Sequence, residues 1–422
     1  MAVALLLAGC TGTAVGSTIS GNRSLIGQTV EVAATWTGAE QANFQAVLNA
    51  FAHRTGATVR YTAGGDDLPV LLGSRLAGGA PPDVALIAQP GVVASFARKG
   101  QLKELTGAAA QAVAANYSEA WRQLGTVDGK LYGVYFKVAN KSVIWYRTDR
   151  FAAAGVSPPR TWDELRATSR TLADAGFVPM AVPGGDGWTL TDWFENVYLR
   201  LAGPDAYNKL ARHEIPWTDP TVVAALRLLG EYWATPRTIQ GGPAGAVQLK
   251  FDQSIADVFG EHPRSAMLYE GDFVATEIAK LDRTKVGDGA KFFDWPSING
   301  SAPAVVTAGD QAVAFKKSKG ATALMAFLAS PDAADIMARK GGYLSANRNV
   351  APSSYPDDTT EHLADAVVKA DVLRFDMSDL TPPSFGGGTN ADEWRLLQDF
   401  LRDPVDPAST ARKLENAAKR DY

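Results

Sequence analysis

Cysteine is nearly missing from this chain, with Cys10 alone among 422 residues. A single thiol makes no intramolecular disulfide and no multi-cysteine metal site. Histidine is almost as scarce: His53, His213, His262 and His362 are scattered singly, each reading as a surface or internally satisfied side chain. The H-E-x-x-H pair of zinc hydrolases is absent, as are the G-x-S-x-G turn, the G-x-x-x-x-G-K-[ST] phosphate loop and the EF-hand loop. No metal and no cofactor are therefore expected. Positive charge shows no excess, since 41 Lys plus Arg stand against 45 Asp plus Glu for a net charge of -4. No basic excess is available to neutralise a phosphate backbone, which argues against a nucleic-acid partner. No stretch approaches the about 18 to 20 apolar residues that a membrane span requires. Internal repeats, heptad arrays and long low-complexity segments are missing too.

What remains is globular in composition, 46% hydrophobic and 20% charged. The length exceeds what one hydrophobic core usually serves, so two or more lobes are expected. Ten tryptophans are the compositional oddity. The first ten residues form an apolar run closing on Leu7-Ala8-Gly9-Cys10. This resembles the lipobox of a bacterial lipoprotein signal, which implies cleavage before Cys10 and its lipidation. Only nine residues precede Cys10 and none is Lys or Arg, so the true start is expected upstream of Met1. An ordinary buried cysteine is the alternative. The Gly-, Ser- and Thr-rich stretch from Thr11 to Gln28 reads as a flexible tether.

From Val30 onward, short β-branched runs alternate with amphipathic stretches, the pattern of βα units around a mostly parallel sheet. A strand at Val30 leads past Trp36 to a helix whose Phe44, Val47, Leu48 and Phe51 share one face, ended by Gly56. A strand over Thr58 to Tyr61, a helix over Leu68 to Leu76, a strand over Asp83 to Ile87 and a helix over Gly91 to Lys99 follow. Gly133 to Ile144 is extended and suits a crossing between lobes. Thr161-Trp162-Asp163-Glu164 is a capping box, and Asp219-Pro220 and Ser330-Pro331 each start a further helix.

Several strings then occur in an order that resembles the extracellular solute-binding proteins of bacterial carbohydrate ABC importers. They are Ala80-Pro81-Pro82-Asp83-Val84 after Gly78-Gly79, Thr161-Trp162-Asp163-Glu164-Leu165, and Gly309-Asp310. A narrower resemblance, to the α-glucoside-binding members, is carried by Lys141-Ser142-Val143-Ile144-Trp145-Tyr146, Gly187-Trp188 and Thr191-Asp192-Trp193. Leu199-Arg200, His213-Glu214-Ile215 and Arg374-Phe375-Asp376-Met377-Ser378-Asp379-Leu380 extend it. The chain departs at Thr381-Pro382, where that group commonly has Met-Pro, and at Tyr269-Glu270-Gly271-Asp272. The resemblance implies an α/β, two-lobed periplasmic-binding-protein-like fold of type II, with a ligand cleft between lobes joined by a multi-strand hinge. The expected division is 1–27 as signal and tether, 28–137 plus 303–350 as the first lobe, and 138–302 plus 351–422 as the second. It also implies a carbohydrate ligand, an α-glucoside di- or oligosaccharide, passed to the transmembrane subunits of an ABC permease. The mature protein would be a monomer, outside the cytoplasm and lipid-anchored to the outer face of the bacterial cytoplasmic membrane.

A sugar presents apolar C–H faces ringed by hydroxyls, so its site needs aromatic platforms edged by planar polar groups. Open α/β sheets bind at the carboxyl ends of their strands. Trp36 follows the first strand and serves either as a platform or as core, while Glu40 is either a ligand contact or the partner of Thr37 in a capping box. Asp66 lies in the Gly-Gly loop after the second strand, where Asp67 makes a simple turn equally plausible. Gln89 stands at the exit of the third strand, and Lys137 at the first crossing. Trp188 follows a glycine-rich run that offers an indole little structural excuse. Asp192 opens the next helix, where the dipole alone would favour a carboxylate. Glu270 and Phe273 lie at a strand-to-helix turn where the family places a cleft aromatic. Gly309 and Asp310 fall where the chain returns to the first lobe, the glycine admitting close backbone approach. Phe385, in a late glycine-rich loop, would cover a sugar ring. Trp121, Trp145, Trp162, Trp217, Trp233 and Trp394 read as packing. A secreted sugar-active hydrolase is the competing reading, since any two carboxylates can meet in space. An adhesive surface lipoprotein is the third, disfavoured by aromatics at strand ends.

Overall fold

The computed structural model describes residues 23–387 and 391–422, so Cys10 lies outside the described residues. The first sheet is built by β1 (Thr29–Ala34), β2 (Thr58–Ala63) and β3 (Val84–Ile87), all parallel. Each is followed by a helix: Gly38–Thr55, Leu68–Ala77 and Pro90–Arg98. These are the helices that the apolar spacing predicts, and Gly56 ends the first at φ 79°. That left-handed turn suits glycine because it lacks a Cβ. A small hairpin of β4 (Thr126–Val127) and β5 (Lys130–Leu131) precedes β6 (Gly133–Asn140).

After β6 only Lys141 and Ser142 intervene before β7 (Val143–Arg147), which belongs to a second sheet. That sheet has the order β10-β7-β9-β8, with β8 at Val178–Ala181, β9 at Ser265–Tyr269 and β10 at Ala290–Asp294. The return runs through residues 295–304 into β11 (Val305–Ala314). β11 is the long strand on which the lobes are joined. It pairs antiparallel with β6 along one edge, while β12 (Leu373–Phe375) and β3 share the other. The chain therefore stays with the first sheet as far as β12, beyond the changeover expected at Val350. It then leaves through helix Met377–Leu380 to Asp392–Arg402 and Pro407–Asp421, which pack on Trp188–Ala211 and Pro220–Ala234. The extended Gly133–Ile144 segment is two strands, one in each sheet.

Asn196 and Arg200, on helix Trp188–Ala211, fasten these crossings. The Asn196 amide donates to the Lys141 carbonyl at 2.9 Å and to Tyr269 Oη at 2.7 Å, and its Oδ1 accepts from Ser142 Oγ at 2.6 Å. Ser142 Oγ accepts in turn from Val306 N at 2.8 Å, and Arg200 Nη2 donates to the Ala304 carbonyl at 2.6 Å. Backbone groups that leave regular sheet would otherwise be buried unpaired. Beneath them Trp193, Trp233, Tyr269 and Trp295 pack together without exposure above 4%. Each such side chain contributes about 1.5 to 3 kcal/mol by burial. Thr161 and Glu164 form the reciprocal cap read from the sequence, and Asp219 and Ser330 cap the helices that follow them. Among the described residues no helix is long and apolar enough to cross a membrane.

Candidate functional site

Lys137 on β6 and Asp310 on β11 are paired in register, and a bulge follows between Asp310 and Gln311. The Lys137 ammonium is bonded to Glu40 Oε1, joining helix Gly38–Thr55 to the crossing strands. Burial opposes the charge on Lys137, but Glu40 and Asp310 outweigh it and raise its pKa. Asp310 itself is pushed up to about 6 by burial, against the pull of Lys137 and of the Trp36 indole N–H. The Thr37–Glu40 capping box is not formed, because Thr37 makes no side-chain cap bond and Glu40 turns to Lys137 instead. A charge-assisted bond outcompetes a neutral amide. Trp36 is 4% exposed, set edge-on to Phe44 at 4.9 Å, with its carbonyl accepting from Tyr61 Oη at 2.7 Å. It backs the polar wall as core and offers no open face.

The second lobe contributes an aromatic group. Trp188, Phe251 and Phe273 are each half-buried, with ring centres 5.4, 5.7 and 6.1 Å apart. Phe251 and Phe273 stand at helix starts and Trp188 at the head of Trp188–Ala211, where Gly187 turns the chain at φ 80°. The planes are inclined by 57° to 61°, which makes a cup and not a flat shelf. Asp272, beside Phe273, accepts from Asn140 N at 2.6 Å and is felt by Lys137, so aromatic cup and polar wall meet at the crossing. Burial raises Asp272 to about 6.

Below the cup lies Lys141, bonded to Asp192 Oδ1 at 3.0 Å and to Asp376 Oδ2 at 2.5 Å. Burial raises Asp192. For Asp376 burial acts the same way, but Lys141, Ser378 Oγ and Asp379 N hold it down at about 2. Glu270 is fully buried, and neither of its carboxylate oxygens has a partner among the described residues. Burial, with Asp192 beside it, raises its pKa well above the carboxylate range. Asp192, Glu195 and Asp376 bring oxygens within 4.8 Å of one another, a spacing a cation would accept. The Lys141 ammonium already bridges two of them, and Glu195 is satisfied by Tyr207 Oη and the amides of Met377 and Ser378.

The structure thus gathers Glu40, Lys137 and Asp310 on one side and Trp188, Phe273 and, beneath them, Asp192 and Glu270 on the other. Gln89 stands at the N-cap position of helix Pro90–Arg98 without a side-chain capping bond, its Oε1 buried and unpartnered among the described residues. Asp66 lies in the turn Gly65–Asp67. Gly309 serves the sheet, since a Cβ there would stand 2.5 Å from the Lys137 carbonyl. Phe385 does not reach the cleft. It is fully buried between Trp217 and Tyr422, because its loop folds under Asp392–Arg402 and not over the opening. Arg374 turns to the carbonyls of Pro204 and Leu373, leaving Asp376 to Lys141. The site residues missed by sequence reasoning are Lys141, Phe251, Asp272 and Asp376. The strings around Lys141 and Asp272 were visible, but a lysine between strands and an aspartate in a turn carry no mark of function. Phe251 had no signal at all.

Two sheets joined by crossing strands, with charged and aromatic side chains gathered at the crossing, are the two-lobed architecture of solute receptors. Solved structures agree: the bacterial solute receptor AcbH superposes with a TM-score of 0.77 at 21% identity, covering 93% of this chain and 99% of that one. The apo-form of RafE from Streptococcus pneumoniae gives 0.78 at 16%, covering 94% and 98%. Identities this low speak to fold alone. Residues 35–335 match the bacterial extracellular solute-binding proteins, and the chain belongs to that family, which places it outside the cytoplasm. It is 34% identical over 378 residues to the osmoprotective compounds-binding protein GgtB of Synechocystis, covering 88% of each chain. It is 29% identical over 412 residues to the alpha-glucosides-binding periplasmic protein AglE of Rhizobium meliloti, covering 94% of this chain and 88% of the relative.

Proposed function

We propose that the protein is the substrate receptor of an ABC importer, capturing an α-glucoside di- or oligosaccharide and delivering it to the permease. The observation that carries this reading is the aromatic cup of Trp188, Phe251 and Phe273 meeting the Glu40–Lys137–Asp310 wall at Asp272. A pyranose ring stacks its C–H face on such aromatics and gives its hydroxyls to charged groups that have already lost water. The binding roles that GgtB and AglE are named for, osmoprotective compounds and α-glucosides, support a small sugar-like solute. The reading is of a receptor that binds without turnover: Asp192 and Asp376 are tied to Lys141, and Glu195 to Tyr207 and backbone amides. Contacts to both lobes favour a closed state, with rotation about the strands on either side of Lys141 and Ser142.

The test is a thermal-shift screen of α-linked against β-linked disaccharides, since bound ligand stabilises the native state. The α-linked set should raise the melting temperature and emerge unhydrolysed. Failure of every carbohydrate sinks the sugar assignment, and release of monosaccharide sinks the receptor reading. Anchoring through a lipidated Cys10 belongs to the same proposal. Cys10→Ala should move the protein from the membrane fraction to the medium, and unchanged fractionation would remove the anchor. The receptor is read as a monomer, which light scattering checks.

A further inference from the structure

At the β10 edge of the second sheet, opposite β8, lies a cavity of about 940 Å³ lined by none of the charged or aromatic side chains of the candidate site. Both crossings line it, through Asn140 and Ser142 and through Pro303 to Val305, together with helix Asp358–Lys369. Its charged rim is balanced: Arg160, Lys291 and Lys369 stand against Asp294, Asp358 and Asp371, all exposed. The rim therefore selects little by charge. The floor is different, because the one buried charge in the lining is Arg200, 6% exposed. Its hydrogen bonds go to the Asn196 carbonyl at 3.3 Å, Asn196 Oδ1 at 3.0 Å and the Ala304 carbonyl at 2.6 Å. All three are neutral oxygens, and Asp294 is felt only at a distance. Burial pushes the guanidinium down to about 9, the response of a cation without a close counter-charge.

We propose that this cavity is a second ligand site, taking a small organic oxyanion whose carboxylate or phosphate group seats on Arg200. The guanidinium fork matches both groups, and an anion there supplies the charge that the protein does not. The volume exceeds a bare inorganic ion, so an organic body fills the space beside Phe292 and Trp295. This inference does not depend on the sugar reading.

Calorimetric titration of the full chain with citrate and with glycerol phosphate tests it. At least one probe should bind saturably in the millimolar range. Ala366→Trp fills the cavity from helix Asp358–Lys369 while leaving Arg200 in place, and should weaken that binding by about tenfold or more. Arg200→Gln, which removes the charge, should do the same, and a melting curve on each variant confirms folding. No saturable heat with either probe, or binding that survives a folded variant, overturns the proposal.

Discussion

The Lys141 ammonium lies 5.5 Å from the centre of the Trp188 ring while bonding Asp192 one helical turn below. Trp188 is thus held from beneath by a cation and from the side by Phe251 and Phe273, with part of its surface open. Trp188→Ala should weaken sugar binding by about 1 to 3 kcal/mol, the scale of a desolvated aromatic anchor. Trp193→Ala, in the closed core, should instead lose about 3 to 5 kcal/mol of stability. Titration calorimetry and melting curves on both variants separate platform from core. Equal stability losses with unchanged affinity in Trp188→Ala would show that its ring is packing alone.

Asp310 gives the cleft a pH dependence. Its pKa rises from 3.8 unfolded to about 6 folded, so the folded state holds a proton that the unfolded state has released. The stability this supplies is complete below pH 3.8 and is lost as pH rises through about 6. Asp310→Asn cannot lose it. Urea unfolding should show the variant gaining on the wild type as pH rises from 3.8 to about 6, by about 1 to 3 kcal/mol. A constant difference across that window would refute the shift.

Local signals were legible in proportion to how local their causes are. The caps at Thr161, Asp219 and Ser330 and the glycine stop at Gly56 need only a few neighbouring residues, and each stands as the sequence reads. Thr37 failed as a capping box because Glu40 found Lys137, 97 positions away. Phe385 failed for a similar reason: a glycine-rich loop looks exposed until Trp217 and Tyr422 are known to cover it. The Lys141–Asp192–Asp376 group was out of reach because it joins three distant segments by charge, and charge has no periodicity along a chain.

Gly309 separates a sheet requirement from a ligand requirement. Its absent Cβ makes room for the Lys137 carbonyl, 2.5 Å from where that carbon would stand, next to the bulge after Asp310. Gly309→Ala should therefore cost about 1 to 3 kcal/mol of stability through forced separation of β6 and β11. A melting curve reads this directly. If stability holds and only sugar affinity drops, the glycine serves the ligand after all.

Lys141 is the sharpest test of how the crossing is held. It is the counter-charge to both Asp192 and Asp376, which are 0% and 2% exposed in their side chains. Lys141→Met keeps the length of the stem and removes the charge, leaving two buried carboxylates to face each other. Breaking a buried pair in this way costs about 3 to 5 kcal/mol at neutral pH. The loss should depend on pH, with a definite sign. In the wild type Lys141 helps to hold Asp376 down at about 2, a contribution present above pH 3.8 and lost only as pH falls through 2. Without the ammonium, burial is unopposed and both carboxylates take up protons at higher pH, which relieves their repulsion. The gap between wild type and variant in urea unfolding should therefore be widest near neutrality and narrow towards pH 4. A gap that stays level with pH, or one below about 1 kcal/mol as for an exposed pair, would mean that Lys141 is not the charge that holds these carboxylates in place.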